Sequence, residues 1–179
     1  DRITRAPKAL GFVDLKPVIK LTEPGEKLIN GKRTEEVLLR QLLKFQLPSP
    51  YHKEPEDFNG LFGVKPYLEI FRLIYELGTV SFDELMIFGM QLTHYNKFEQ
   101  VVSEIKQFRR MKTYAEASYK IFRGTYLRNE VEKIYQENIH EGNTKTRESR
   151  DKSLDKFVKT KASNMRDYAD ACFRYLRAT

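Results

Sequence analysis

The 179-residue chain has one cysteine, Cys172. A lone thiol excludes an intramolecular disulfide and any paired-cysteine metal site, and it suits a reducing compartment. Long apolar runs are also lacking. None approaches the roughly 20 residues that cross a bilayer, and no secretory signal heads the chain. The expectation is a cytoplasmic protein without a membrane partner. The chain opens on Asp1 with no Met, as expected of a segment cut from something longer.

Residues for several chemistries are missing as well. His52, His94 and His140 are scattered and share no metal-ligand spacing. Asn30-Gly31-Lys32-Arg33-Thr34 lacks the earlier glycine that a phosphate-cradling loop requires. Nothing supports a Ser/His/Asp set. Glu104-Ile105-Lys106 spells the tail of a metal-dependent nuclease site. That chemistry needs its carboxylates on paired strands, with an upstream Asp. Here the triplet falls within an amphipathic helical pattern and has no such partner. We therefore assign no catalytic residue and no metal ligand, and expect no cofactor in this segment.

Positive charge is abundant and unevenly placed. There are 32 Lys and Arg against 25 Asp and Glu, a net charge of +7. Residues 1–50 carry ten cations against six anions, residues 51–100 four against eight, and residues 101–179 eighteen against eleven. A polyanion such as nucleic acid would meet the two ends first. A soluble basic protein with no such partner has the same composition.

The apolar pattern predicts a mainly α fold, with winged-helix or helix-turn-helix-like subdomains and one short β-hairpin. Residues 1–50 form a partial winged-helix-like subdomain. A basic stretch with Arg2, Arg5 and Lys8 leads into short strands at Leu10–Val13 and Val18–Leu21. Thr22 then caps a helix with Pro24 in its first turn and Leu28 and Ile29 inward. Gly31 breaks the chain, and Thr34 caps the next helix, whose apolar face is Leu38, Leu39, Leu42, Leu43 and Phe45. A plain hairpin packed on a helix fits the same residues. Residues 51–60 form a proline-rich connector.

Residues 61–138 hold a trihelical core and a following helix. Pro66 and Gly78 bound the first core helix, with Tyr67, Ile70, Phe71, Ile74 and Leu77 inward. Ser81 and Glu84 make a capping box for the second. The third opens at Asn96 and carries Phe98, Val101, Val102, Ile105 and Phe108 on one stripe. Such a trio can be a helix-turn-helix core or an ordinary packing unit, and spacing does not separate the two. The following helix, from Thr113, has Tyr114, Ile121, Phe122, Val131, Ile134 and Tyr135 inward and is kinked or split at Gly124. Residues 139–153 form a flexible basic loop.

Residues 154–179 form a long C-terminal helix with the sharpest pattern in the chain. Val158, Ala162, Met165, Ala169, Cys172 and Leu176 recur four and three apart as one apolar seam. Cys172 thus reads as a small core residue. Beside the seam run Lys156, Lys159, Ser163, Arg166, Asp170, Arg174 and Arg177 at the same spacing. Such a stripe suits a phosphate backbone. It also suits ion pairs along a helix surface, because Asp170 stands four residues from both Arg166 and Arg174.

Five stretches, taken in order, resemble the N-terminal recognition region of the AlwI- and BstNBI-type type IIS restriction and nicking endonucleases. They are DRITRAPKALGFVD at Asp1–Asp14, LTEPGEKL at Leu21–Leu28, VLLRQLLKFQLPSPYH at Val37–His52, IKQFRRMK at Ile105–Lys112 and RDYADACFRYLR at Arg166–Arg177. The resemblance implies binding of a short asymmetric duplex site. It also implies cleavage by a separate PD-(D/E)xK nuclease domain of the same parent chain, which uses Mg2+. In some members a small second catalytic subunit joins. The segment is therefore expected to bind double-stranded DNA and to leave cutting to that domain.

The resemblance assigns no base contacts. Charge and helix-face position nominate Arg2, Arg5, Lys8, Arg109, Arg110, Lys112, Lys156, Lys159, Arg166, Arg174 and Arg177 as DNA-binding residues, most to phosphate and a minority to guanine edges, where Arg is the usual reader. Gln107 and Asn164 are candidates for adenine edges. On the residues alone, a winged-helix regulator and an α-helical protein-interaction domain remain as other readings.

Overall fold

The computed structural model describes residues 5–31, 33–47, 49, 63–114, 119–140 and 154–179. Among the described residues the fold is mainly α, with one two-stranded antiparallel hairpin. It divides into two compact units. The first comprises residues 1–79, 92–98 and 172–179, and the second residues 80–91 and 99–171. The connector expected at 51–60 and most of the loop expected at 139–153 lie outside the described residues.

In the first unit, α1 (Arg5–Ala9) leads into β1 (Val13–Asp14), which pairs antiparallel with β2 (Lys20–Leu21). The strands are shorter than expected. Leu10 N donates to the Ala6 carbonyl and so closes the helix instead of joining the ladder. Leu10 and Phe12 enter the core, while Lys16 to Lys20 stand exposed at the hairpin tip. The next helix, α2 (Glu23–Ile29), begins as its sequence predicts. The Thr22 hydroxyl accepts from Gly25 N at 3.2 Å and donates to the Gly11 carbonyl at 2.6 Å. Such a cap stabilises a helix by about 1 kcal/mol.

Gly25 fits where nothing larger would, because a Cβ there would lie 2.1 Å from the Phe12 carbonyl oxygen. That close approach seats α2 on the hairpin root. Ile29, expected to face the core, is exposed near the end of the helix. Helix α3 (Thr34–Lys44) is preceded by Arg33 in the left-handed region, φ 54°, so the boundary residue is Arg33 and Thr34 is the first helical residue. Gln41 Nε2 donates to the Leu10 carbonyl at 2.8 Å and ties α3 to the turn before the hairpin.

Helix α4 (Pro66–Leu77) has the expected bounds, with Gly78 at φ 76° ending it. Its inward face differs from the expected one. Tyr67 and Ile70 are buried, but Leu73 is fully enclosed while Phe71 and Ile74 are exposed. Glu69, Arg72 and Glu76 lie three and four apart on one side, so periodicity points Phe71 and Ile74 inward, but the packing takes Glu69 and Leu73 into the core instead. Glu69, buried on α4, is answered by Arg72 at 2.7 Å, and the Arg72 guanidinium lies 3.9 Å from the Phe98 ring centroid. Single bridges join Leu47 to Val64 and Gly63 to His94.

The second unit is built from α5 (Phe82–Ile87), most of α6 (Phe98–Tyr114), α7 (Tyr119–His140) and the first three-quarters of α8 (Leu154–Arg177). The Ser81–Glu84 capping box is present, with Ser81 N donating to Glu84 Oε2 at 2.8 Å and Glu84 N to Ser81 Oγ at 3.3 Å. A short 3-10 turn, Tyr95–Lys97, takes the place of the start expected at Asn96. All five stripe residues of α6 are buried, as expected.

The core of this unit is aromatic. Phe108 lies 5.5 Å from Phe88, 5.3 Å from Phe122 and 5.2 Å from Tyr126, centroid to centroid. Such pairs add about 0.5–1.5 kcal/mol each beyond the area they bury. They also explain why Gly124 does not split α7. Phe122 and Tyr126 dock on either side of it, and tertiary packing outweighs the roughly 1 kcal/mol that a helical glycine costs. Ile121, expected inward, is exposed.

Candidate nucleic-acid interface

Helix α8 carries the clearest face. Asp155 stands in its first turn and Arg174 and Arg177 in its last, each placed where the helix dipole favours its charge. Met165, Ala169 and Cys172 of the expected seam are buried, and Val158, Ala162 and Leu176 are half-buried. Phe157, which the seam did not include, is fully buried and meets Tyr135 edge to face at 5.1 Å. Burial pushes the Cys172 thiol up to about 11, as suits a packed and unreactive sulfur.

The neighbouring stripe faces water along its whole length. Lys156, Lys159, Ser163, Arg166, Asp170, Arg174 and Arg177 are all exposed. Lys159, Arg166 and Arg177 meet no carboxylate within ion-pair distance among the described residues. Asn164 is half-buried beside the stripe. Lys161, not singled out by its sequence position, is half-buried on the seam side. Burial lowers its ammonium pKa, and its Nζ lies 5.4 Å from the Phe157 ring centroid.

Helix α6 divides its polar residues between two faces. Ser103, Lys106, Gln107 and Arg110 are exposed at three and four spacing, so Gln107 and Arg110 share one side. Arg109 turns the other way. Its Nε donates to Glu84 Oε1 at 2.8 Å and its Nη2 to Glu84 Oε2 at 3.0 Å, a two-pronged ion pair on a buried carboxylate. Burial alone would raise the Glu84 carboxyl. The Arg109 guanidinium and the Ser81 N–H and hydroxyl outweigh it and hold the carboxyl below its usual range. Arg109 is correspondingly held more firmly protonated by the same hydrogen bond.

Lys112, at the end of α6, sits 4.8 Å from the Tyr119 ring centroid. The Tyr119 hydroxyl donates to Asp83 Oδ2 at 2.7 Å, and Arg123 Nη1 donates to Asp83 Oδ1 at 3.1 Å. Burial and the Asp83 hydrogen bond push the Tyr119 phenol up to about 12. Lys8 is half-buried at the end of α1. Arg2 and the side chain of Arg5 lie outside the described residues. Glu104-Ile105-Lys106 lies mid-helix, with Ile105 fully buried between its polar neighbours. Among the described residues, no three of His, Cys, Asp and Glu gather as metal donors.

A family model described as AlwI restriction endonuclease matches residues 8–179. No curated protein matches the chain.

Proposed function

The chain belongs to the AlwI restriction endonuclease family, and from that premise we propose that it is the sequence-specific recognition region of a type IIS restriction or nicking endonuclease. The family brings a restriction endonuclease role and DNA as partner. The finer reading is a short asymmetric duplex site, bound as a bacterial cytoplasmic protein. Among the described residues no helix is long and apolar enough to cross a membrane.

The observation that carries the reading is the α8 stripe: a row of exposed cations beside a seam that anchors the helix from its other side. In this assignment Lys156, Lys159, Arg166, Arg174 and Arg177 meet phosphates. Arg110 and Lys112 add to them from α6, and Arg2, Arg5 and Lys8 from the start of the chain. Gln107 and Asn164 are the amide side chains suited to an adenine edge. Arg109 does its work from within, by holding Glu84 and with it the start of α5. The hairpin of the first unit takes the part of a wing.

Cleavage is assigned to a PD-(D/E)xK domain of the parent chain, with Mg2+ and, in some members, a second catalytic subunit. Asp83 and Glu84 offer magnesium no free carboxylate, since Arg123, Tyr119 and Arg109 already engage them.

Titrating the chain with a pool of random duplexes at several salt concentrations tests the reading. Affinity is expected to fall steeply, with a log–log slope of about −9 if all ten of these cations meet phosphates. Binding that ignores salt would remove the stripe from the account.

A further inference from the structure

We propose that the hairpin tip, Pro17-Val18-Ile19 between Lys16 and Lys20, is an apolar wedge that enters the minor groove of the bound duplex and unstacks one base step. The proposal rests on the DNA-binding reading above. All five residues are exposed, and Val18 and Ile19 show 70% and 74% of their surface to water. Two adjacent branched aliphatics at the end of a hairpin add nothing to the core of their own unit. Both are stiff at χ1, so they lose little side-chain freedom on insertion.

The root beneath them is held firmly. Leu10 and Phe12 are buried, Thr22 N donates to the Phe12 carbonyl at 3.1 Å, and the Thr22 hydroxyl donates to the Gly11 carbonyl. Gln41 holds the Leu10 carbonyl, and α2 sits against Phe12 too closely for any side chain at Gly25. A tip on such a root presents its apolar residues at a fixed place.

Charge selects the occupant. Lys16 has no ion-pair partner among the described residues, and Lys20 has only a loose one, Asp14 at 3.8 Å. No acidic residue lies between Leu15 and Leu21. An apolar point flanked by cations matches a base step flanked by phosphates. Aliphatic wedges of this kind bend duplexes by partial unstacking.

The test uses a duplex recovered from a random pool by the wild-type chain, with 2-aminopurine placed at each position in turn and dyes at both ends to report bending. The wild type is expected to brighten one step and to bend the duplex. The double variant Val18→Ser/Ile19→Ser should lose both signals and bind about tenfold more weakly. Its salt slope should stay unchanged, because Lys16 and Lys20 remain. Its thermal melting should also be unchanged, and Ile19→Leu alone should keep the bend. Equal affinity and bending in the double variant would overturn the wedge while leaving DNA binding intact. A wild-type chain that retains no duplex would overturn the DNA reading and the wedge together.

Discussion

Helices α6 and α8 both present arginines and lysines at helical spacing, yet they use them differently. On α6, Arg109 is turned inward onto the buried Glu84, and Lys112 lies over Tyr119. On α8, the five stripe cations all face water. The difference lies in what stands opposite each helix. A buried carboxylate draws a guanidinium in, because leaving it unanswered costs several kcal/mol. An apolar seam makes no such demand, and the cations beside it stay exposed to water. A basic cluster in a sequence therefore mixes structural cations with binding ones, and the burial of the nearest acid separates them.

Removing the inward arginine should break this contrast most severely. Arg109→Ala leaves Glu84 buried and held only by Ser81. The expected loss is about 2–3 kcal/mol of stability, read from urea unfolding. The salt slope of DNA binding by the folded variant should be unchanged. A variant of full stability that binds DNA poorly would instead place Arg109 at the interface.

The outward cations should behave in the opposite way. Arg166→Ala/Arg174→Ala is expected to weaken duplex binding by roughly tenfold or more at moderate salt and to flatten the log–log slope by about 2. Its melting temperature should stay near that of the wild type, since exposed substitutions of this kind shift stability by about 0.5 kcal/mol or less. Unchanged affinity would equate the two helices.

Acid sharpens the comparison more gently. The Glu84 carboxyl in the folded chain titrates below its ordinary value of 4.5. Its ion pair therefore contributes stability above that pH, and the contribution is lost as pH falls through the folded-state value. In urea unfolding, the stability gap between wild type and Glu84→Gln should be widest near neutrality and should narrow steadily below pH 4.5. A constant gap would mean that the charge on Glu84 is not what holds Arg109.

Local signals were readable without the fold. The Thr22 cap, the Ser81–Glu84 box and the Pro66 and Gly78 bounds each depend on residues three or four apart, or on one backbone angle, so the chain states them directly. The exposed stripe of α8 was readable for the same reason. Phe71 and Ile74 against Leu73 was not, because tertiary packing buries the side of this helix that carries Glu69, against the direction its polar residues set. Nor was the duty of Arg109, whose partner lies 25 residues away. The family resemblance was carried by five separated stretches and is matched by the family model over residues 8–179.

By itself, the order of amino acids determined that this protein would be a mainly helical, basic chain with defined helix ends and one cationic edge along its last helix. Those properties follow from spacing within a few turns of backbone. Tertiary structure alone decided which apolar face each helix buries, which arginine is taken up by a carboxylate, and that Val18 and Ile19 remain in water on a rigid root. Each of these is a choice among neighbours distant in the chain, and such neighbours meet only when the core closes.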